Sequence, residues 1–457
     1  MTRRVQTTDN NYGLRTVVVD GVRGCGIGAD ILNALAPYSG IALSELAKEN
    51  NDLFVFPRVV GANEDDIGSN CLFSLPGGEL TTHNIAGVIG INHGEDSVSL
   101  SIRSRFDRDE RRQYFLSSML KRVLGINLLN LDVLSGGERI WDLYPYLFPH
   151  CLNEALVQGL YRTYRQFALN DGNLRGSIDI ARHIQENMPF HGSVAYEVRE
   201  HTENNAVMQL VRHTIEYIAS NRDLALMLNS DETIRRNVMI VRSATPDYNQ
   251  QMRRDVVMKN MRFIRHPYYT KWSDLQRLCV RILCHDKLSF NGEGEKLHGV
   301  VFDVAWLWEE YLSRELVQHG FIHSENKTGR NPMALYQDGR HSVYPDFRSE
   351  ARGVILDAKY KRLDRGEVAR EDLYQMVTYI HTMPNAVGRS AILLYPRELE
   401  QSVECKVETV GNLAGYGGKV MKLAFNVPQS REGESFCSYE KRMKESMKRF
   451  VDAIRAA

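Results

Sequence analysis

The sequence lacks the features that would place it in a membrane or an oxidising compartment. No run of eighteen apolar residues occurs among its 457 residues, so no transmembrane helix is predicted. Residues 1–13 lack the apolar core of a secretory signal peptide. The seven cysteines are scattered without a C-x-x-C pair, which favours reduced thiols. Together these absences predict a cytoplasmic protein without membrane contact.

Several catalytic and cofactor-binding motifs are also missing. There is no G-x-x-x-x-G-K-[S/T] loop, so the chain is not expected to bind a nucleotide, and H-E-x-x-H and G-x-S-x-G are absent. Residues 24–29 have glycines spaced as in a dinucleotide-binding loop. No clear βαβ unit follows them, so we interpret them as a turn. The formal net charge is zero, whereas a DNA-binding protein that works alone often has a basic excess.

The hydrophobic pattern divides the chain into three predicted domains. Residues 1–110 contain short β-branched and aromatic runs between turn signals, which predict a β-rich domain. Residues 111–295 are predicted to be mainly helical, with one long helix carrying a stripe formed by Leu152, Leu156, Leu160, Tyr164 and Phe167. Residues 296–457 mix strand and helix patterns and form a predicted α/β domain. The predicted fold class is therefore α+β multidomain.

The most informative stretch is residues 344–362, YPDFRSEARGVILDAKYKR, which predicts a β-hairpin. Side chains alternate along a strand, so Asp357 and Lys359 share one face, and the first strand can bring Asp346 beside them. Two carboxylates suit Mg²⁺, because water and substrate phosphate fill its other octahedral positions. A lysine beside the metal can orient the attacking water. The alternative makes Asp346 a turn residue and Lys359 a solvated strand end.

The segments around the hairpin supply further candidate residues. Residues 371–380 predict a helix in which Gln375 and Tyr379, at positions i and i+4, share one face. Residues 391–396 have the pattern of a buried strand that proline stops. Upstream, residues 307–312 predict a helix that carries Glu309 towards the same core. The result is an order of strand, strand, helix and strand around an acidic pair.

This arrangement resembles the PD-(D/E)xK nuclease superfamily, with Asp346, Asp357 and Lys359 in the motif positions. Within that superfamily, the order LWEEYL, PD, VILDAKYKR, LYQMVTYI and ILLYP is similar to the McrC family, the nuclease subunits of McrBC-type, modification-dependent restriction systems. The segments NLRGSID and NNAVM are similar to that family's middle region. The resemblance covers roughly residues 112–457. The family does not uniformly place an acidic residue at the position of Glu309.

The resemblance implies an α/β nuclease core in residues 296–457 that cuts double-stranded DNA with Mg²⁺. The implied site consists of Asp346, Asp357, Lys359, Gln375, Tyr379 and Glu309. Within it, Asp346 and Asp357 would hold the metal ion, and Glu309 would complete its outer shell. Gln375 and Tyr379 would steady the motif strand or contact the DNA backbone.

The resemblance also implies a partner, an McrB-like AAA+ GTPase hexamer that reads a modified cytosine and whose GTPase the McrC-like subunit stimulates. The missing nucleotide-binding loop and the zero net charge agree with that division of labour. The N-terminal domain, which lies outside the nuclease core, is by elimination the candidate for docking on the ring. Two alternatives stay open, namely a stand-alone PD-(D/E)xK DNA nuclease and a non-cutting subunit that assembles or activates a partner.

Overall fold

A computed structural model gives the structure of the protein. It describes residues 2–11, 17–23, 27–50, 52–57, 70–93, 96–109, 112–126, 143–222, 224–229, 231–284, 296–324, 329–364, 366–383, 389–399, 405–414 and 417–457. The chain forms two compact units, Met1–Ile140 with Glu293–Ala457, and Trp141–Gly292. Both units combine helices with sheets, which confirms the α+β multidomain class. No helix in the described ranges is long and apolar enough to cross a membrane.

Twelve α-helices occur in the described residues. In chain order they are α1 (Ala29–Leu35), α2 (Leu43–Glu49), α3 (Tyr114–Leu124), α4 (Tyr144–Val157), α5 (Ile180–Asn187), α6 (Ala206–Ser220), α7 (Glu232–Ala244), α8 (Arg253–Lys259), α9 (Thr270–Leu283), α10 (Val304–Leu316), α11 (Arg370–Thr382) and α12 (Phe436–Ala456). The capping chemistry is visible in α10, where the Asp303 carboxylate accepts hydrogen bonds from the backbone N–H groups of Ala305 and Trp306.

The strands of the described residues are, in chain order, β1 (Thr2–Thr8), β2 (Val18–Val19), β3 (Val22–Arg23), β4 (Leu53–Phe56), β5 (Phe73–Ser74), β6 (Thr81–Thr82), β7 (Ile85–His93), β8 (Asp96–Arg103), β9 (Thr163–Asp171), β10 (Ser177–Ile178), β11 (Val194–Thr202), β12 (Lys296–Asp303), β13 (Ile322–His323), β14 (Met333–Ala334), β15 (Ser342–Val343), β16 (Phe347–Ser349), β17 (Val354–Ala358), β18 (Ser390–Leu399), β19 (Glu408–Asn412) and β20 (Lys419–Pro428). They form two large sheets and three smaller ones.

The first large sheet belongs to the first unit and has the order β3-β2-β1-β8-β7-β12-β4. Its apolar face packs on α1 and α2 through buried residues such as Ile31, Leu46, Ile89 and Leu100. Helix α3, which the sequence analysis places in the middle region, belongs to this unit. Strand β12 pairs with β7 and β4. The sequence analysis does not predict this pairing, because a short apolar run carries no local signal of its partner. Residues 24–26 of the predicted turn lie outside the described residues.

The second large sheet, also in the first unit, has the order β13-β16-β17-β18-β20-β19. Strand β17 is central and pairs antiparallel with β16 and parallel with β18. Strand β18 does not stop at Pro396 as predicted but continues to Leu399 along β20. Proline is tolerated because pairing with β17 ends at Leu394, so no neighbouring strand requires the missing N–H on that side.

The second unit consists of helices α4–α9 and a three-stranded sheet of order β10-β11-β9 that the sequence analysis did not predict. The predicted long helix over residues 152–167 is wrong. Helix α4 ends at Val157, Gly159 follows with a left-handed φ of 88°, and Tyr164 and Phe167 lie in β9. The apolar spacing continued across the break, but glycine ended the helix and the aromatic residues pair in a sheet.

A buried cluster around Arg105, just after β8, joins the first sheet to the chain that follows β17. The Arg105 Nε lies 2.8 Å from Asp9 Oδ2, and its Nη2 donates to the Tyr360 carbonyl oxygen at 3.0 Å. The Tyr360 hydroxyl lies 2.7 Å from the Ser104 Oγ, and Arg362 Nη2 donates to the Arg105 carbonyl oxygen at 2.6 Å. Tyr360 and Arg362 therefore hold the segment directly after Lys359 against the first sheet.

The cluster predicts a pH-dependent stability change for Arg105→Ala. Burial raises the pKa of Asp9 to about 6 although Arg105 opposes the shift, so the charged form of Asp9 becomes costly as the pH rises through that value. Without Arg105 that charge is buried and unpaired. We expect urea unfolding to show a loss of about 3–5 kcal/mol at pH 8 and a smaller loss at pH 5.

Two variants control this measurement. Arg340→Ala removes an arginine from an exposed ion pair with Asp338 and should change stability little at either pH. Adding Asp9→Asn to Arg105→Ala should recover part of the loss at pH 8, since the unpaired charge is then gone. Equal losses for Arg105→Ala at both pH values would show that Asp9 does not mediate the effect.

Candidate active site

Four structural elements bring the predicted residues to one end of β17. Asp346 immediately precedes β16, Asp357 lies in β17, and Lys359 is the second residue along the chain from it. The predicted hairpin is present, because β16 and β17 pair antiparallel with Phe347 opposite Leu356. Helix α11 contributes Gln375 and Tyr379, and α10 contributes Glu309. All six belong to the first unit.

Asp346 and Asp357 are two neighbouring carboxylates, of which Asp357 is buried and Asp346 is half-buried. The Asp346 Oδ2 accepts a hydrogen bond from the Ala358 backbone N–H at 2.6 Å, which ties it to the strand that carries Asp357. Burial raises the pKa of Asp346 well above its usual value, and the charges of Glu309 and Asp357 raise it further. Burial also raises the pKa of Asp357, which is 1% exposed, although Lys359 opposes that shift. The pair is therefore costly to charge without a cation.

The Lys359 ammonium supplies a positive charge inside this group. Its Nζ lies 2.7 Å from Asp357 Oδ2 and 3.7 Å from Asp372 Oδ1, and it donates to Gln375 Oε1 at 2.8 Å. Burial by itself would lower the pKa of Lys359, but Asp357, Asp346 and Asp372 together raise it above its usual value. Lys359 is consequently protonated at neutral pH, so it acts as a hydrogen-bond donor and not as a base.

Gln375 and Tyr379 connect both ends of the hairpin to α11. Gln375 accepts from Lys359, and its Nε2 donates to the Tyr379 hydroxyl at 2.8 Å. That hydroxyl donates in turn to the Tyr344 carbonyl oxygen at 3.2 Å, two residues before Asp346. Tyr379 is 6% exposed, which favours the predicted strand-steadying role over contact with DNA. Three hydrogen bonds thus run from the ammonium to the strand that carries the other carboxylate.

Glu309 and two residues that sequence reasoning missed surround this core. The Glu309 Oε1 lies 3.0 Å from the Nε2 of His323, whose ring stacks on Phe347 with centroids 5.0 Å apart. No sequence spacing connects His323 with the motif, because β13 reaches it only through tertiary pairing with β16. Helical spacing could have identified Asp372, since it stands at position i on the face of α11 that carries Gln375 at i+3 and Tyr379 at i+7.

The donor set determines which metal ion the site suits. Within the described residues, no three His, Cys, Asp or Glu side chains converge on a single metal position. Asp346 and Asp357 offer only hard carboxylate oxygens, which suit Mg²⁺ with water and phosphate as its other ligands and do not suit a closed zinc site. Their raised pKa values fit the same conclusion, because a divalent cation would offset the charge that burial penalises.

The raised pKa of Asp346 predicts that removing its charge stabilises the cation-free protein. Asp346→Asn keeps an oxygen for the Ala358 N–H but removes a buried negative charge near Glu309 and Asp357. A folded-state pKa above the unfolded value costs stability as the pH rises. In EDTA we therefore expect about 1 kcal/mol of stabilisation at pH 8 and less at pH 5, measured by urea unfolding.

Asp338→Asn is the matched control for this measurement, because that exposed carboxylate should leave stability nearly unchanged. A lower stability of Asp346→Asn at pH 8 would mean that the carboxylate is a net structural support. The electrostatic account of the site would then be incorrect.

Comparison with known proteins matches the chain to one family model and to several chains of solved structures. The family model described as "McrBC 5-methylcytosine restriction system component" matches residues 80–396. No protein among the curated ones matches the chain.

Two of these solved structures come from Thermococcus gammatolerans. A half-complex of McrB AAA+ hexamers with bound McrC is 16% identical, with a TM-score of 0.48, and the alignment covers 97% of this chain and 99% of that one. A cryo-EM structure of the McrBC complex is 15% identical, with a TM-score of 0.30, and the alignment covers 69% of this chain and 87% of that one. Both identities are too low to transfer function.

The family match is sufficient to assign the family, because it spans more than half of the chain and includes all six candidate residues, from Glu309 to Tyr379. The protein belongs to the McrBC family of 5-methylcytosine restriction system components.

Proposed function

We propose that this chain is the McrC-type nuclease subunit of a GTP-dependent restriction complex that recognises modified cytosine. Its second large sheet, with the hairpin and α11, would be a PD-(D/E)xK core that hydrolyses phosphodiester bonds of double-stranded DNA with Mg²⁺. The main support for this proposal is that Asp346, Asp357 and a protonated Lys359 lie together at the end of one buried strand. A strand that served only the fold would not place two carboxylates with raised pKa values together.

Asp346 and Asp357 would hold the metal ion, with help from the Ala358 carbonyl oxygen. When bound, Mg²⁺ supplies charge stabilisation at the scissile phosphate and activates water as a nucleophile. Asp346 is fixed for this task by the Ala358 N–H, and Asp357 by its place in the central strand of the sheet. One ligand would therefore lie in the central strand, and the other is tied to that strand by a backbone hydrogen bond.

Lys359 would orient the attacking water and offset charge on the phosphoryl oxygens. Its ammonium has three N–H donors, of which Asp357 and Gln375 engage two, so one remains for water or phosphate. Because Asp357, Asp346 and Asp372 raise the pKa of Lys359, the ammonium would enter the reaction as a hydrogen-bond donor. Gln375 fixes the direction of the ammonium, and Tyr379 fixes Gln375.

Membership of the McrBC family supports a partner, for which we propose an McrB-like AAA+ GTPase hexamer. The missing nucleotide-binding loop and the zero net charge fit a chain that leaves GTP hydrolysis and DNA search to another subunit. The first unit's N-terminal sheet remains our candidate for docking on the ring. A non-cutting activator would not need the complete set of Asp346, Asp357 and Lys359, which favours the nuclease.

The decisive experiment measures Mg²⁺-dependent cleavage of methylated and unmethylated plasmid by the wild type and by Asp357→Ala. Both proteins are assayed with and without GTP and an McrB-like AAA+ GTPase. We expect cleavage of methylated DNA only with partner and GTP, and a loss of more than about 100-fold in Asp357→Ala. Stimulation of the partner's GTPase should survive in this variant, because the docking surface is intact.

Asp247→Ala, in the second unit, controls for the loss of an exposed carboxylate and should cut like the wild type. Partner-independent cleavage would support the stand-alone nuclease instead. Stimulated GTPase without cleavage by the wild type would support the activator. Undiminished cleavage by Asp357→Ala would exclude the site itself.

A further inference from the structure

A small hairpin formed by β14 and β15 leads directly into the candidate active site. Its two strands pair with Met333 opposite Val343. One residue later, the Tyr344 carbonyl oxygen accepts the hydrogen bond from Tyr379, and Asp346 follows. Met333 is 7% exposed and belongs to the apolar cluster that contains Ile355 and Tyr379, against which Val343 also packs. The base of the hairpin is thus part of the catalytic core.

The segment that leads into β14 is also tied to the candidate site. Asn331 donates from its Nδ2 to the His323 carbonyl oxygen at 2.8 Å, and Arg348 donates to the Asn331 carbonyl oxygen at 2.7 Å. His323 is the partner of Glu309, and Arg348 lies in β16. Both strands of the hairpin therefore begin or end on residues that contact the candidate site.

The tip, residues 335–341, is ordered by its own backbone. The Leu335 N–H donates to the His341 carbonyl oxygen at 2.7 Å, and the Tyr336 N–H donates to that of Arg340 at 3.3 Å. Gly339 closes the turn with a φ of 79°, and His341 also has a positive φ, of 52°, which is uncommon for a residue with a side chain. This geometry fixes the direction in which the tip side chains project.

The side chains of the tip are unusual for an exposed turn. Leu335 is 40% exposed and Tyr336 52% exposed, although small polar residues are the norm at such positions. The Arg340 side chain is 76% exposed, and the His341 ring packs edge-on against Tyr336, with centroids 5.6 Å apart. A rigid loop that presents a tyrosine, a leucine and an arginine has the chemistry of a contact surface.

Nucleic acid fits this surface better than another protein does, because the hairpin continues into the residues proposed to act on a phosphodiester bond. Leu335 and His341 follow directly on the last pair of the hairpin, Ala334 with Ser342, so the tip begins two residues beyond the base. Arginine binds phosphate, and tyrosine and leucine pack on base and sugar faces or between base steps.

We propose that this tip is a DNA-contacting element of the nuclease, with Tyr336 and Leu335 against the bases or sugars and Arg340 on a phosphate beside the cleaved bond. The inference rests on the proposed function, since it requires that DNA enters the site of Asp346 and Asp357. It deepens that function by naming residues outside the proposed catalytic set that would contact the DNA substrate.

A photo-crosslink tests the contact directly. The photoreactive residue p-benzoylphenylalanine replaces Tyr336 in an Asp357→Ala background, and the variant is assembled with partner, GTP, Mg²⁺ and a labelled methylated duplex. The same replacement at Tyr268, which is 59% exposed in the second unit, is the matched control. We expect a protein–DNA crosslink at position 336 and at least about 10-fold less at position 268.

A functional measurement accompanies the crosslink. Tyr336→Ala, made in an otherwise wild-type chain, should slow plasmid cleavage about 10-fold and leave GTPase stimulation unchanged, whereas Tyr268→Ala should alter neither. Crosslinking of position 336 to the partner protein instead of DNA would overturn the inference. So would unchanged cleavage by Tyr336→Ala.

The inference and the proposed function fail in different ways. If cleavage depends on Asp357 but position 336 does not crosslink to DNA, only the hairpin assignment is wrong. If Asp357→Ala cuts like the wild type, the proposed site is wrong, and the hairpin loses its reason to contact DNA.

Discussion

The ion pair between Lys359 and Asp357 is the interaction on which the candidate site depends. Four carboxylates, those of Asp346, Asp357, Asp372 and Glu309, influence one another there. The ammonium of Lys359 lies against two of them, those of Asp357 and Asp372. Burial makes each uncompensated charge expensive, so the ammonium determines how much negative charge the site tolerates. Lys359 therefore serves the stability of the site as well as its proposed chemistry.

The rest of the first unit supports the position of this ion pair. Strand β17 lies between β16 and β18, so the backbone at Asp357 is fixed on both sides. Helix α11 holds the ammonium through Gln375, and Arg105 holds Tyr360, the next residue after the lysine. Arg105 directly follows β8 of the first large sheet, which is formed mostly by the N-terminal part of the chain, so hydrogen bonds connect the segment after Lys359 to that sheet.

Sequence reasoning succeeded where the relevant distance along the chain is short. Asp357 and Lys359 follow from strand alternation, and Gln375 and Tyr379 follow from helical spacing, so local periodicity was enough. The contact of His323 with Glu309 and that of Asp9 with Arg105 join residues from different elements, and no periodicity encodes them. The same limit explains the missed pairing of β12 with β7 and the unpredicted sheet of β9–β11, whose partners are set by tertiary structure.

The charge balance of the site constrains the order of events in the proposed reaction. A DNA phosphate that approaches Asp346, Asp357 and Glu309 before a cation is bound meets net negative charge, because Lys359 offsets only part of it. The cation must therefore bind before the phosphate or together with it. The chain has no net positive charge to draw DNA inwards at long range. The zero net charge is thus consistent with the delivery of DNA by a partner, which the proposed function assigns to an AAA+ hexamer.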